Sequence, residues 1–172
     1  MPVVVDTNVL VAANGRDCLQ ATPACRLACV QKLQHIQKQG VLVIDDGWRI
    51  LREYIQQVSS SGQPGEGDAF LRWVLTNQRN PSRCQQVTIT AMADGSFQEF
   101  PPHPELKNFD PSDHKFVATA LTHPEQPPVF NAVDSDWKQF GSALAAAGVK
   151  VVQLCPETLK ERVEAVRAEN SI

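Results

Sequence analysis

Short apolar runs alternate with helix-like segments along this chain, and that alternation restricts its fold more than any other feature. The runs are rich in β-branched residues, which is typical of strands buried on both faces of a sheet. They cover residues 3–5, 41–44, 129–133 and 149–154. Strands separated by helices pair in parallel, so we predict an α/β fold, a three-layer α/β/α sandwich with a mostly parallel central sheet.

The segments between these runs carry apolar residues at helical spacing. We predict helices at 21–39, 47–58, 68–75, 110–122 and 137–147, and a C-terminal helix from 156 to about 169. Thr22 is a suitable N-cap for the first, with Pro23 at the first helical position and Gly40 as its stop. A chain of 172 residues without an internal repeat or a long linker predicts a single domain, 1–172.

The region near 87–100 has a different pattern. Two β-favouring runs flank Ala93-Asp94-Gly95, and Asp-Gly between such runs is a strong hairpin signal. We therefore predict an inserted β-hairpin over 87–100 that projects from the main sheet or extends its edge. An exposed hairpin edge also offers a surface for a homodimer through strand pairing.

Composition gives no indication of a membrane or secreted protein. Apolar residues make up 42% and charged residues 20%, and no apolar run approaches the roughly 18 residues of a membrane span. The start also lacks the pattern of a signal peptide. These observations predict a cytoplasmic protein whose five cysteines are reduced thiols. Cys25 and Cys29 share one helix face, and we interpret them as buried small side chains rather than zinc ligands.

Acidic residues follow the predicted strands directly. Asp6 ends the first, Asp45 and Asp46 follow the second, and Asp134 and Asp136 follow the third. Because ligands of parallel sheets collect outside the carboxyl ends of the strands, these side chains are expected along one edge. The alternative for each is an ordinary helix N-cap.

Asp113 distinguishes a functional site from simple helix capping better than the acids at the strand ends do. Four apolar residues stand at +3, +4, +7 and +8 from it, so Asp113 falls on the core-facing stripe of its own helix. They are Phe116, Val117, Ala120 and Leu121. Asp110 already provides a cap, which leaves Asp113 free to face the strand ends.

Four motifs in this order resemble those of PIN-domain nucleases, over roughly residues 1–154. They are Val3-Val4-Val5-Asp6-Thr7-Asn8, Ile50-Leu51-Arg52-Glu53-Tyr54, Asp110-Pro111-Ser112-Asp113-His114-Lys115-Phe116 and Asp134-Ser135-Asp136-Trp137. The resemblance implies a metal-dependent ribonuclease acting on single-stranded RNA, with a catalytic quartet of Asp6, Glu53, Asp113 and Asp134. It makes Asp136 an accessory acid and Asn8 an aid to orienting Asp6. The family often has Thr or Ser where this chain has Ala132.

Oxygen ligands without histidine or thiolate suit Mg²⁺ or Mn²⁺. We expect Asp6, Asp113 and Asp134 to contact the metal directly, with Glu53 and Asp136 acting through water. The net charge of −3 is not typical of a nucleic-acid-binding protein, but a cluster of acids that binds divalent cations would offset it locally. Substrate contacts are expected from basic residues near the strand ends: Arg16, Arg49, Arg52 and Lys115.

Other functions stay open on the sequence. One is a catalytically weak PIN-like module that binds RNA or a protein, and another is a structure-specific DNA nuclease using the same acids. A phosphatase of the Asp-x-Asp type is disfavoured, because Asn8 stands where its second aspartate would be. Many small PIN proteins resemble toxins, so an antitoxin protein is a possible partner.

Overall fold

The computed structural model describes residues 1–16 and 18–171, and within these ranges five parallel strands form one sheet. The strands are β1 (Pro2–Val5), β2 (Val41–Asp45), β3 (Cys84–Val87), β4 (Val129–Asn131) and β5 (Val151–Gln153). Their spatial order is β3-β2-β1-β4-β5. Helices flank this sheet, which confirms the predicted α/β class and is compatible with a three-layer sandwich.

The helix boundaries agree best with the sequence prediction where the sequence contains a recognisable capping residue. They are α1 (Thr7–Asn14), α2 (Pro23–Gln39), α3 (Arg49–Gln57), α4 (Glu66–Asn77), α5 (His114–Thr122), α6 (Asp136–Gln139), α7 (Gly141–Ala146) and α8 (Pro156–Glu169). The Thr22 hydroxyl caps α2 by accepting from the Cys25 N–H, as predicted. The described helices include none long and apolar enough to cross a membrane.

Two elements were not predicted, and one predicted helix is divided. The α1 segment is continuously apolar from Val9 to Ala13 and mostly buried, so its sequence shows no helical period. Strand β3, with the sequence Cys-Gln-Gln-Val, lies at the sheet edge, where polar residues are tolerated. The helix predicted over 137–147 is broken at Phe140 into α6 and α7.

The strand order places a crevice beside β1. The chain adds β2 and β3 on one side of β1, then returns to add β4 and β5 on the other side. Ligands of open parallel sheets bind where the order reverses in this way, because the loops after the two central strands diverge there. Asp6, directly after β1, and Asp134, in the turn after β4, both flank this crevice.

The predicted hairpin is shorter than expected and stays outside the sheet. Residues 84–87 join the sheet in parallel, and beyond them Ala91 and Phe97 form one antiparallel bridge, flanked by two backbone hydrogen bonds between the arms of the turn. The loop packs back on the domain, because the Phe100 ring stacks on His114 with centroids 3.7 Å apart. At its tip, Asp94 accepts the Ser96 N–H, a local bond that favours a turn over a strand.

The expectation of five reduced thiols is also wrong, because Cys25 and Cys155 form a disulfide. Cys25 lies in the first turn of α2 and Cys155 immediately precedes α8, so the bond joins two helix starts. The other cysteines, Cys18, Cys29 and Cys84, are free and buried, as proposed for Cys29. The pairing could not be inferred from spacing, since 130 positions separate its members.

We expect the disulfide to contribute about 2–4 kcal/mol to stability, because it closes a long loop in the unfolded chain. The double variant Cys25→Ser/Cys155→Ser should lose that amount in urea unfolding. Reduction should lower wild-type stability to the same level and leave the double variant unchanged. Equal stability of oxidised and reduced wild type would contradict a structural role for this bond.

A buried polar junction attaches α4 to α1. The Asp68 carboxylate is fully buried and accepts hydrogen bonds from the backbone N–H groups of Ser59 and Gly65 and from the Asn14 side-chain amide. Arg16 lies 3.6 Å from its second oxygen. Burial alone would raise the pKa of Asp68, but these partners together outweigh burial and lower it. The charged form of Asp68 therefore stabilises the folded chain.

The variant Asp68→Asn should cost about 2–4 kcal/mol of unfolding free energy at neutral pH, because its amide cannot accept all these bonds. Since the folded-state pKa is lowered, the stabilisation is present above the unfolded pKa of about 3.9 and is lost as pH falls through the folded value. The difference in unfolding free energy between wild type and variant should therefore become smaller below about pH 4. Glu164→Gln, at an exposed position of α8, serves as the control. If that difference does not change with pH, the charged form of Asp68 does not stabilise the folded chain.

Candidate metal centre

Three acidic side chains from separate parts of the chain meet at the crevice beside β1. One carboxylate oxygen from each of Asp6, Asp113 and Asp134 lies within 4.8 Å of the other two. These residues and Glu53 line a cavity of about 300 Å³. Asp6 and Asp113 are 3% and 5% exposed, whereas Asp134 is half-buried. The structure thus brings together the three residues that we expected to contact a metal.

Asp6 is fixed by its own turn and by a distant tryptophan. It caps α1, because its Oδ1 accepts the backbone N–H of Asn8 at 3.1 Å. Its Oδ2 accepts the indole N–H of Trp137 at 2.5 Å. Burial raises the pKa of Asp6, and the charges of Asp134 and Glu53 add to that rise, while the two hydrogen bonds oppose it. Asp6 is therefore both an N-cap and a member of the cluster.

Asp113 is the least satisfied acid of the cluster. It ends the short 3₁₀ turn before α5, and Asp110 supplies the cap of that turn, as the sequence indicated. Asp113 is almost fully buried, and its Oδ2 has no hydrogen-bond partner within residues 1–16 and 18–171. Burial raises its pKa, and the charges of Asp6, Asp134 and Asp110 raise it further. A buried carboxylate in this position requires a proton or a cation.

The turn that carries Asp134 is held by asparagines. The Asn8 side chain accepts the N–H groups of Ala132 and Val133 at 2.9 and 3.1 Å, and donates to the side chain of Asn131 at 2.8 Å. Asn131 in turn donates to the carbonyl of Asp134. Only the backbone N–H of Asn8 contacts Asp6, so its side chain does not play the role predicted for it. It positions the Asp134 turn instead.

Asn131 was missed by the sequence analysis. It lies at the end of β4 and is completely buried, where it also donates to Gln153 of β5 at 2.7 Å. One polar residue inside the apolar run 129–133 was the signal available in the sequence. A buried amide with several bonds fixes a turn strongly, because every lost bond leaves an unsatisfied polar group.

Glu53 reaches the cavity but is already paired. One of its oxygens accepts the Thr7 hydroxyl at 2.6 Å, and the other forms an ion pair with Lys115. Lys115 is buried and also donates to the carbonyl of Ser112. Glu53 therefore lines the same cavity as the three aspartates, but its charge is paired with Lys115 and it is not one of the three side chains whose oxygens converge.

The remaining strand-end acids have other positions. Asp45 caps α3, since its oxygens accept the N–H groups of Arg49 and Ile50 at 3.0 and 2.9 Å. Asp45 therefore caps the first turn of α3 through its side chain, as that alternative expected, although the N-cap position itself is Trp48. Asp136 is half-buried outside the lining of the cavity, and burial raises its pKa, with the charge of Asp134 adding to the effect. Its backbone N–H donates to Asp134, which is its contact with the cluster.

The donor set fits a hard divalent cation. The three converging side chains offer only carboxylate oxygens, which suit Mg²⁺ or Mn²⁺ rather than zinc. The unpartnered oxygen of Asp113 gives this fit an independent basis, because a bound cation would supply the partner that it lacks.

No protein-family model, curated protein or solved structure matches this chain. The function is therefore inferred from the geometry of the site and from the motifs in the sequence.

We expect Mg²⁺ or Mn²⁺ to raise the melting temperature of the wild type, because the cation relieves repulsion among the three aspartates. Asp113→Asn should abolish that response and stabilise the metal-free protein by about 1–3 kcal/mol, since a neutral amide avoids the cost of a buried acid beside two others. Glu161→Gln, an exposed acid of α8, is the matched control and should keep the wild-type response. A melting temperature that is indifferent to both ions would remove the main support for the metal centre.

Proposed function

We propose that this protein is a PIN-like, divalent-metal-dependent endoribonuclease that hydrolyses phosphodiester bonds of single-stranded RNA. The observation that carries the proposal is the meeting of Asp6, Asp113 and Asp134 at the reversal of strand order, with one buried Asp113 oxygen unpartnered. The ordered acidic motifs support the PIN-like assignment and the choice of RNA as substrate.

In this proposal Asp6, Asp113 and Asp134 hold Mg²⁺ or Mn²⁺. When bound, such an ion activates a water for attack and offsets the negative charge of the phosphodiester. Trp137 and Asn8 keep Asp6 and the Asp134 turn in place, so little reorganisation is needed before reaction.

Glu53 and Lys115 have a supporting role at the cavity wall. Their ion pair joins α3 to the start of α5, and the Thr7 hydroxyl joins Glu53 to α1. Glu53 is thereby fixed next to the three aspartates and available to orient a water. Asp136 contacts the same cluster through its backbone N–H and is assigned the accessory role.

A second candidate is a catalytically weak PIN-like module that binds RNA or a protein. The observation in its favour is Ala132, which is fully buried, donates its backbone N–H to the Asn8 side chain and has no hydroxyl to offer the site. PIN-domain nucleases often have a hydroxyl at this position. A structure-specific DNA nuclease would use the same aspartates. The antitoxin partner and the homodimer stay predictions, because a single chain is described.

The test is cleavage of a fluorescently labelled single-stranded RNA in the presence of Mn²⁺ or Mg²⁺, with single-stranded and branched DNA in parallel. We expect RNA cleavage that stops on chelation. Asp6→Asn and Asp113→Asn should each lower the rate on the order of 100-fold or more, since each removes part of the charge that positions the ion.

The outcomes separate the candidates. RNA binding without cleavage, in protein whose melting temperature responds to the metal, would favour the weak module. Preferential cleavage of branched DNA would favour the DNA nuclease. Cleavage that persists in an Asp6→Asn/Asp113→Asn double variant would show that the activity does not arise from this cluster.

A further inference from the structure

A second cavity, of about 290 Å³, adjoins the acidic one. The two cavities share Glu53 and Ser112 as lining residues. The second lies between α3, the start of α5 and the loop that follows β3. Its walls carry Arg49, Arg52 and Lys115, so a positively charged cavity borders the three aspartates.

One face of α3 connects the two cavities. Arg49, Arg52, Glu53 and Gln56 stand at positions i, i+3, i+4 and i+7 and therefore project from the same side of the helix. Because Glu53 also lines the acidic cavity, this face fixes the distance between the arginines and the aspartates. An anionic chain that enters the acidic cavity along α3 would pass both arginines.

The ion pairs distinguish the four basic residues that the sequence suggested for substrate contact. Arg16 pairs with Asp68 and Lys115 with Glu53, so both have structural roles. Arg49 lies 3.8 Å from Asp45, whose oxygens are already engaged in capping α3. Arg52 is exposed and has no ion-pair partner in the part of the chain that the structure describes. It is the basic residue of this cavity most available to an anion.

The loop after β3 builds the far wall. The Phe97 ring lies 5.4 Å from the Arg49 guanidinium carbon, a cation–π contact that limits the motion of the arginine. The base of the loop is fixed, because Glu99 accepts the Thr90 N–H and Phe100 stacks on His114. Gly95 at the tip has a φ of 83° and open space where a Cβ would be, so the mouth of the cavity is not blocked there.

We propose that this second cavity binds a backbone phosphate of the nucleic-acid strand next to the scissile bond, with Arg52 as the main contact and Arg49 as the second. The inference rests on the proposed function, since it places the substrate strand across both cavities. Three clustered carboxylates repel a polyanion, and a fixed positive cavity beside them offsets that repulsion and sets the path of the strand. The Phe97 wall keeps Arg49 oriented toward that path.

The experiment measures binding without cleavage. A labelled single-stranded RNA oligomer and a DNA oligomer of the same sequence are titrated by fluorescence anisotropy with the Asp113→Asn protein, alone and with Arg52→Gln or Arg79→Gln added. Arg79 is an exposed arginine between α4 and β3, before the start of that strand and away from the strand ends, and it is the matched control. Melting temperatures confirm that each variant is folded.

Arg52→Gln should weaken RNA binding about tenfold at low salt, because a charge-assisted bond to phosphate is lost. The slope of log Kd against log salt concentration should fall by about 0.7, as for one phosphate contact on a single strand. Arg79→Gln should leave affinity and slope unchanged. In the cleaving protein, Arg52→Gln should raise KM and spare kcat.

Three results would contradict the proposal that this cavity binds a backbone phosphate. They are no binding of either oligomer, equal effects of Arg52→Gln and Arg79→Gln, or a loss confined to RNA, which would assign Arg52 to the 2′-hydroxyl instead. A weakening of similar size for RNA and DNA supports the proposal. If Arg52→Gln weakens binding while the wild type fails to cleave, the phosphate cavity stands and the nuclease proposal fails.

Discussion

The buried carboxylate of Asp6 joins three separate parts of this molecule at the crevice. It ends the central strand, caps the first helix and accepts the indole N–H of Trp137, which lies 131 positions further along the chain. Asp6 is only 3% exposed, and burying its carboxylate without these donors would cost free energy. The position of α6 relative to β1, and with it the Asp134 turn, is therefore linked to the hydrogen bonding of one side chain.

The aspartates of this chain show why residue type and position do not by themselves define a site. Asp45 and Asp6 both follow buried strands, and both accept N–H groups from the helix that follows. Asp45 is completely buried and does not line the acidic cavity, so its carboxylate serves α3 alone. Asp113 differs from both, because a buried oxygen lacks any partner among the described residues. The distinction lies in hydrogen-bond satisfaction, which depends on neighbours that are distant in sequence.

The conformation of the loop after β3 also depends on residues that are distant in sequence. Its β-favouring residues and Asp-Gly turn predicted a hairpin over 87–100, and a short one forms around the turn, but its aromatic side chains pack on the domain. Phe100 stacks on His114, and Phe97 packs against Arg49, so the segment becomes a wall beside the acidic cluster. Stacking and cation–π contacts with α3 and α5 are tertiary interactions, and a local propensity argument cannot weigh them.

The sequence by itself determined the α/β class, most element positions and the acids that meet at the crevice, because burial of parallel strands and helix capping leave strong local patterns. It identified Asp113 as inward-facing from helical spacing, and Glu53 through the family resemblance. Only the tertiary structure decided that Glu53 is paired with Lys115, that the Asn8 side chain supports the Asp134 turn, and that Cys25 is joined to Cys155. It also showed that Arg52, unlike the other three basic candidates, has no ion-pair partner among the described residues. These outcomes depend on contacts between residues far apart in sequence, whose geometry follows from the packing of the sheet and helices.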